Sequence, residues 1–284
     1  MMKLLFITKE PKTATIAQKA GVDWIFVDLE YIGKEIRQIG RNTVISAHTI
    51  EDIKNIKKII TTSKLLVRIN PIGGYSKKEI DDVISSGADI IMLPFFKTKK
   101  EVEIFLSYVN NRIETCLLVE TMSSVKNIDD ILTLSGINYI HIGLNDIHIE
   151  RKTNFMFEFL ADGYIDNIAK KIKDRKIEFG FGGMSKIGTN LKPSPERILA
   201  EHYRLGSNSI ILARSFINDI GEYNDLEDFE KNFIKSVKEI RNYEKDLLLK
   251  DSSFFENNKK ETKKEIYEVS QIIKNSNEST KCKL

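Results

Sequence analysis

Cysteine is almost missing from this 284-residue chain: there are two, Cys116 in an apolar run and Cys282 in a polar tail. A disulfide framework is therefore not expected, and a reducing, cytoplasmic setting is. A dominant sign of charge is missing too. The 44 basic and 41 acidic side chains leave a net charge of only +3, so the bulk balance gives no reason to expect a nucleic-acid partner. The opening MMKLLFITKEPK holds an apolar run far too short for a secretory signal or a membrane span. No membrane partner is expected. Finally, no G-x-G-x-x-G follows the first strand-like run, which weakens an open, dinucleotide-binding sheet.

What is present is a repeated alternation. Apolar residues make up 41% of the chain, enough to bury a large core. Short apolar runs at Leu4–Thr8, Trp24–Asp28, Leu65–Asn70, Asp89–Leu93, Leu117–Val119, Tyr139–Gly143, Phe179–Gly183 and Ser209–Ala213 read as strands. Thr43–Ala47 reads as a short extra one. Between them lie segments with helical periodicity, several closed by glycine or a turn signal. Helices are expected over Pro11–Ala20, Ile50–Ile60, Ser76–Ser85, Lys99–Val109, Ser123–Leu134, Phe157–Lys173, Pro195–Arg204 and Leu226–Leu249. Eight strands alternating with helices predict an α/β fold, a closed (β/α)8 TIM barrel spanning residues 1–250. Residues 251–284 form a polar C-terminal extension, partly helical or disordered. Within it Ile266, Val269, Ile272 and Ile273 share one helical face. That face is either a frayed extension or an arm packing on a neighbouring subunit.

The stretch ETCLLVETMSSVKNIDDILTLSGINYIHIGLND, Glu114–Asp146, organises the site. It reads as strand, helix, strand, with a loop starting at Asn145-Asp146. A right-handed crossover makes the two strands parallel and sends both C-terminal ends to one rim. Glu120 and Asp146 therefore point into the same space, where two carboxylates suit a hard cation such as Mg²⁺. Reading the other strand ends adds Asp28, Glu30 and Tyr31, then Arg68 and Asn70, then Phe95, Phe96 and Lys97. The last strands add Gly182, Gly183, Ser185, Arg214 and Ser215. Arg68 is placed to hold a carboxylate by two parallel hydrogen bonds. Gly182 and Gly183 let backbone N–H groups approach an anion. His48, His141, His148 and His202 read as structural histidines. Lys97 and Lys186 sit in polar loop sequence that would not depress an amine pKa, which argues against a Schiff-base aldolase.

Five motifs, DWIFVDLE, LLVRINP, GADIIMLP, LLVET and YIHIGLND, fall in the order and spacing of the HpcH/HpaI aldolase and citrate lyase β-subunit-like family, which the chain resembles over roughly Leu4–Phe216. The resemblance implies a barrel binding Mg²⁺ or Mn²⁺ that makes or breaks carbon–carbon bonds next to a pyruvate-like or acyl-CoA enolate. By resemblance, Glu120 and Asp146 match the metal ligands and Arg68 the arginine at the substrate's carbonyl or enolate oxygen. Asp28 and Glu30 match the acidic pair after the second strand. Substrate contacts are expected from Arg68, Asn145, Gly182 and Gly183. A small 2-oxo acid or related carboxylate is the implied ligand, and a homo-oligomer the implied assembly. The chain departs from the aldolase branch at Tyr31, which stands where that branch has histidine. It departs from the citrate lyase-like branch at Phe95-Phe96, where lysine is usual. Three functions follow: a metal-dependent aldolase, a citrate lyase-like acyl-CoA lyase, or a barrel that binds metal and small carboxylates without turnover.

Overall fold

A computed structural model describes residues 1–33, 48–218 and 226–281. Eight parallel strands close into a barrel in sequence order: β1 Lys3–Ile7, β2 Trp24–Asp28, β3 Lys64–Arg68, β4 Ile90–Leu93, β5 Glu114–Val119, β6 Tyr139–Ile142, β7 Glu178–Met184 and β8 Ser209–Leu212. β8 returns to pair with β1. The strands are short and nearly all apolar because each is covered on both faces. The expected segment Thr43–Ala47 lies outside the described residues.

Strand parity sorts the core into two layers. Leu5, Trp24, Phe26, Leu66, Ile90, Met92, Cys116 and Leu118 fill the barrel interior. The intervening residues, such as Leu4, Ile25, Val27, Leu65, Val67, Ile91 and Leu117, pack outward against the helices. A strand alternates its side chains strictly. Two residues beyond Phe26, Leu66 and Leu118 are Asp28, Arg68 and Glu120, so the interior column of these three strands, β2, β3 and β5, ends in a charge at the C-terminal rim.

The helices start where local chemistry provides a cap. Thr49 and Thr98 form capping boxes with Asp52 and Glu101 for the helices Ile50–Ile59 and Lys99–Val109. Ser194 caps Pro195–Leu205, which Gly206 ends in a left-handed conformation.

Three expectations need correction, and a fourth segment gains detail. The helix expected over Ser123–Leu134 is two short ones, Met122–Lys126 and Ile128–Ile131, interrupted at Asn127 (φ −91°, ψ 10°), a non-helical conformation. The helix expected over Phe157–Lys173 is also two, Glu158–Ala161 and Tyr164–Asp174, divided by Gly163 at φ 79°. Asn145-Asp146 does not begin a loop but lies in the first turn of the helix Leu144–Arg151. The C-terminal segment is one long helix, Ser252–Lys281. It lies on its own barrel, against Pro195–Leu205 and Glu158–Ala161, so this helix is not an arm held only by a neighbouring subunit. Ile266 is fully buried there while Ile272 is 64% exposed. Polar contacts complete the seam: Asn258 to Glu201, Arg197 to Glu265, Tyr267 to Asp162 and Ser270 to Glu158.

Candidate active site

The interior charges open into a cavity of about 650 Å³ at the C-terminal rim, lined in part by Asp28, Glu30, Arg68, Glu120, Asn145 and Asp146. Gly182 and Gly183 also line it. All eight sequence-predicted site residues therefore meet in one space.

Arg68 and Asp28 are register partners on β3 and β2. Their side chains join in a two-pronged bond, Nε to Oδ1 at 2.8 Å and Nη2 to Oδ2 at 2.7 Å. Nη1 faces Glu30 at 3.3 Å. The fork expected to grip a ligand carboxylate is thus engaged by Asp28, because the two residues are directly opposite across the sheet. Burial opposes the Arg68 charge, but Asp28, then Glu30 and more weakly Glu120, outweigh it and hold the guanidinium above its ordinary pKa. Asp28 and Glu30 are each 1% exposed, and Glu30 N–H donates to Asp28 Oδ1.

Glu120 has a different surrounding. Its Oε1 accepts the Phe95 N–H at 3.0 Å, from a backbone held at φ 50°. Thr121 fixes the next residue by donating its hydroxyl to Phe96 O at 2.9 Å. Burial pushes the Glu120 carboxyl up to about 8; Glu30 adds to this, Arg68 opposes it and Asp146 adds again. Glu30 and Asp146 line the same cavity as Glu120, and Arg68 is shared between Asp28 and Glu30. That donor set fits a hard dication, which would replace the hydration that burial removed. Among the described residues no group of three or more His, Cys, Asp or Glu forms a metal cluster, so the fit rests on Glu120 and Asp146 with sites left for other oxygens. Asp146 lies in the first turn of its helix, where the dipole favours an acid.

Other rim residues act on the frame. Asn70 Oδ1 accepts the N–H groups of Tyr31 and Ile32, and its Nδ2 donates to Glu79 and Leu29. It thereby clamps the chain leaving β2. Tyr31 is 58% exposed and does not line the cavity. Gly182 is at φ 51°, a left-handed backbone that favours glycine, and a Cβ there would sit 2.8 Å from Leu144 Cδ1. Its carbonyl accepts from His141 Nε2 at 3.0 Å. Burial lowers His141 to about 4, so the ring is neutral. Lys97, Lys186 and His148 are not among the lining residues, and His148 is bonded to Thr153. His48, read from the sequence as structural, does line the cavity, its Nδ1 accepting the Asp28 N–H at 2.9 Å. No local pattern signals this, since the contact joins residues 20 apart in sequence.

A closed parallel eight-stranded barrel with buried acids converging on its C-terminal rim defines the (β/α)8 architecture with an enzyme-type rim cavity. The chain belongs to the HpcH/HpaI aldolase/citrate lyase family, whose model matches residues 3–158. Among solved structures it is similar to an HpcH/HpaI aldolase from Desulfitobacterium hafniense (13% identity, TM-score 0.59, covering 78% of this chain and 90% of that one). It is similar to an HpcH/HpaI aldolase/citrate lyase family protein from Burkholderia cenocepacia (11%, TM-score 0.59, 78% and 92%). The citrate synthase SbnG gives 15% identity and a TM-score of 0.60, covering 78% and 90%. At these identities the likeness shows the fold. No curated protein matches the chain. No helix among the described residues is long and apolar enough to cross a membrane.

Proposed function

We propose that the protein is a divalent-metal-dependent carbon–carbon lyase that cleaves or forms a small 2-oxo acid through a pyruvate enolate. One observation carries this reading. Glu120 and Asp146 line one rim cavity, and burial together with Glu30 and Asp146 outweighs Arg68 in raising the Glu120 carboxyl. Glu120 and Asp146 are the residues that would hold Mg²⁺ or Mn²⁺. Such an ion supplies Lewis acidity toward the carboxylate and keto oxygen of a 2-oxo acid.

The chain's own residues do the rest. Asp28 and Glu30 hold Arg68 charged and oriented, so that its remaining N–H groups can donate to a substrate oxygen on which negative charge grows. Buried placement makes such hydrogen bonds electrostatically stronger than they would be in water. Asn145 and the Gly182–Gly183 backbone complete the wall against the substrate. The resemblance to citrate synthase SbnG and to citrate lyase supports an acyl-acceptor variant of the same enolate chemistry as the second reading.

The test is exchange of pyruvate methyl protons for deuterium in the presence of Mn²⁺, with wild type and Glu120→Ala. Exchange that disappears in the variant supports the lyase. Binding of Mn²⁺ and pyruvate without exchange points to a barrel without turnover, and failure to bind Mn²⁺ removes the proposal.

A further inference from the structure

We propose that Glu150 is a positioning residue for the metal site: its hydrogen bond to the Met122 backbone holds Asp146 at a fixed distance from Glu120. The inference rests on Glu120 and Asp146 being metal ligands, as above. Glu150 itself does not line the cavity. Its Oε2 accepts the Met122 N–H at 2.8 Å, and Met122 stands two residues after Glu120 on the chain leaving β5. Glu150 stands four residues after Asp146, about one turn along the helix Leu144–Arg151 and on the same face.

A second bond closes a frame around the two acids. The Gly143 N–H donates to Val119 O at 2.9 Å. On one segment Val119 and Met122 flank Glu120; on the other Gly143 and Glu150 flank Asp146. Both acids therefore lie between two cross-links that join the same two segments. Three of the four groups making those links are main chain, and the Glu150 carboxylate is the one side chain. The helix needs the second link. Its N-cap, Gly143, gives no side-chain bond, and its buried residues Leu144 and Ile147 fall near its start. At the far end Arg151 ties it to Asp162 at 2.6 Å, while Glu150 ties it to the exit of β5. The Met122 N–H suits this role because Thr121 caps the helix Met122–Lys126 through the Ser124 N–H. The first N–H of a helix has no partner within the helix, and a carboxylate makes a charge-assisted bond to it.

The experiment is a Mn²⁺ titration of the full-length chain followed by electron paramagnetic resonance, with a thermal melt of each variant. Glu150→Ala should weaken Mn²⁺ binding by about tenfold, the lower end of the range for groups that support metal ligands. The bond lies at the surface, so the melting temperature should hardly change. Glu150→Gln removes the charge but keeps an acceptor oxygen, and should bind Mn²⁺ nearly as the wild type does. Met122→Pro keeps the charge and removes the donor, and should match Glu150→Ala. Proline is at home in this first helical position, and the extended backbone of Thr121 suits the residue before it. Adding Glu150→Ala to Met122→Pro should weaken binding no further. A glutamine variant as weak as alanine would assign the effect to charge and overturn the proposal. Wild-type affinity in Glu150→Ala or in Met122→Pro would overturn it too, as would a second full loss in the double variant. If the wild type binds no Mn²⁺, the lyase reading fails by itself, and crystal structures of wild type and Glu150→Ala decide the role of Glu150. Asp146 should then lie farther from Glu120 in the variant, and an unmoved Asp146 counts against the proposal.

Discussion

Gly143 lies directly behind Glu120: a Cβ at position 143 would stand 2.9 Å from Glu120 Cβ and 3.2 Å from its Oε2. The backbone of Gly143 is extended, with φ −83° and ψ 109°, so any residue adopts it without strain. What glycine provides is room for the acid.

Gly143→Ala should therefore displace the Glu120 carboxylate while leaving the barrel folded. By analogy with residues that support metal ligands, Mn²⁺ affinity should fall by about 10–100-fold. A Mn²⁺ titration followed by electron paramagnetic resonance, beside a thermal melt, checks both halves. Wild-type affinity in the variant would mean that Glu120 is not a ligand.

Breaking the Asp28–Arg68 pair should destabilise the fold more than removing both partners. Asp28→Asn leaves the buried guanidinium with Glu30 as its remaining close counter-charge, a change that costs up to ~3–5 kcal/mol. Asp28→Asn combined with Arg68→Met should cost less than the two single changes summed. Urea unfolding of the four proteins in the cycle measures the coupling.

His141 should make stability depend on pH. Its folded pKa is lowered to about 4 by burial, whereas in the unfolded chain it is about 6.5. Between those values only the unfolded state takes up the proton, so acid favours unfolding. The stability from this group is full above about pH 6.5 and falls by roughly 1 kcal/mol per pH unit as pH drops toward the folded value. Replacing it by glutamine, which can still donate to Gly182, should flatten that slope. Denaturation midpoints measured across this window would show an unchanged slope if the ring were already charged in the native state.

The C-terminal helix should be part of the cooperative fold. Ile266→Ala removes a fully buried side chain and should cost ~2–5 kcal/mol. Ile272→Ala, on the exposed side of the same helix, should change stability by less than about 0.5 kcal/mol. Equal effects from the two would show that this helix does not pack as described.

Much of the barrel and its rim was readable in the sequence because both rest on local periodicity. Trp24, Phe26 and Asp28 alternate to one face, as do Cys116, Leu118 and Glu120, and that rule needs no knowledge of neighbours. What the sequence hid depends on register or on a single breaker. Nothing near Arg68 says that Asp28 is its direct partner across the sheet. The apolar spacing of residues 157–173 runs on through Gly163, whose left-handed backbone divides it. The turn that places Asp146 follows Gly143 with no Ser, Thr, Asn or Asp cap to announce a helix. That His48 lines the cavity was hidden for the same reason, since it is placed there by a bond to the Asp28 N–H, 20 residues away in sequence.

Phe95 holds a left-handed backbone so that its N–H meets Glu120. The aim of that carboxylate is therefore set by main chain, and the side chain at 95 takes no part in the bond. Asparagine or glycine, which accept this conformation readily, would keep the acid where it is while changing the shape and polarity of the loop around it. The loop after β4 can thus be rebuilt for a different substrate without retuning the acid beneath it, which makes residue 95 a natural starting point for redesigning selectivity.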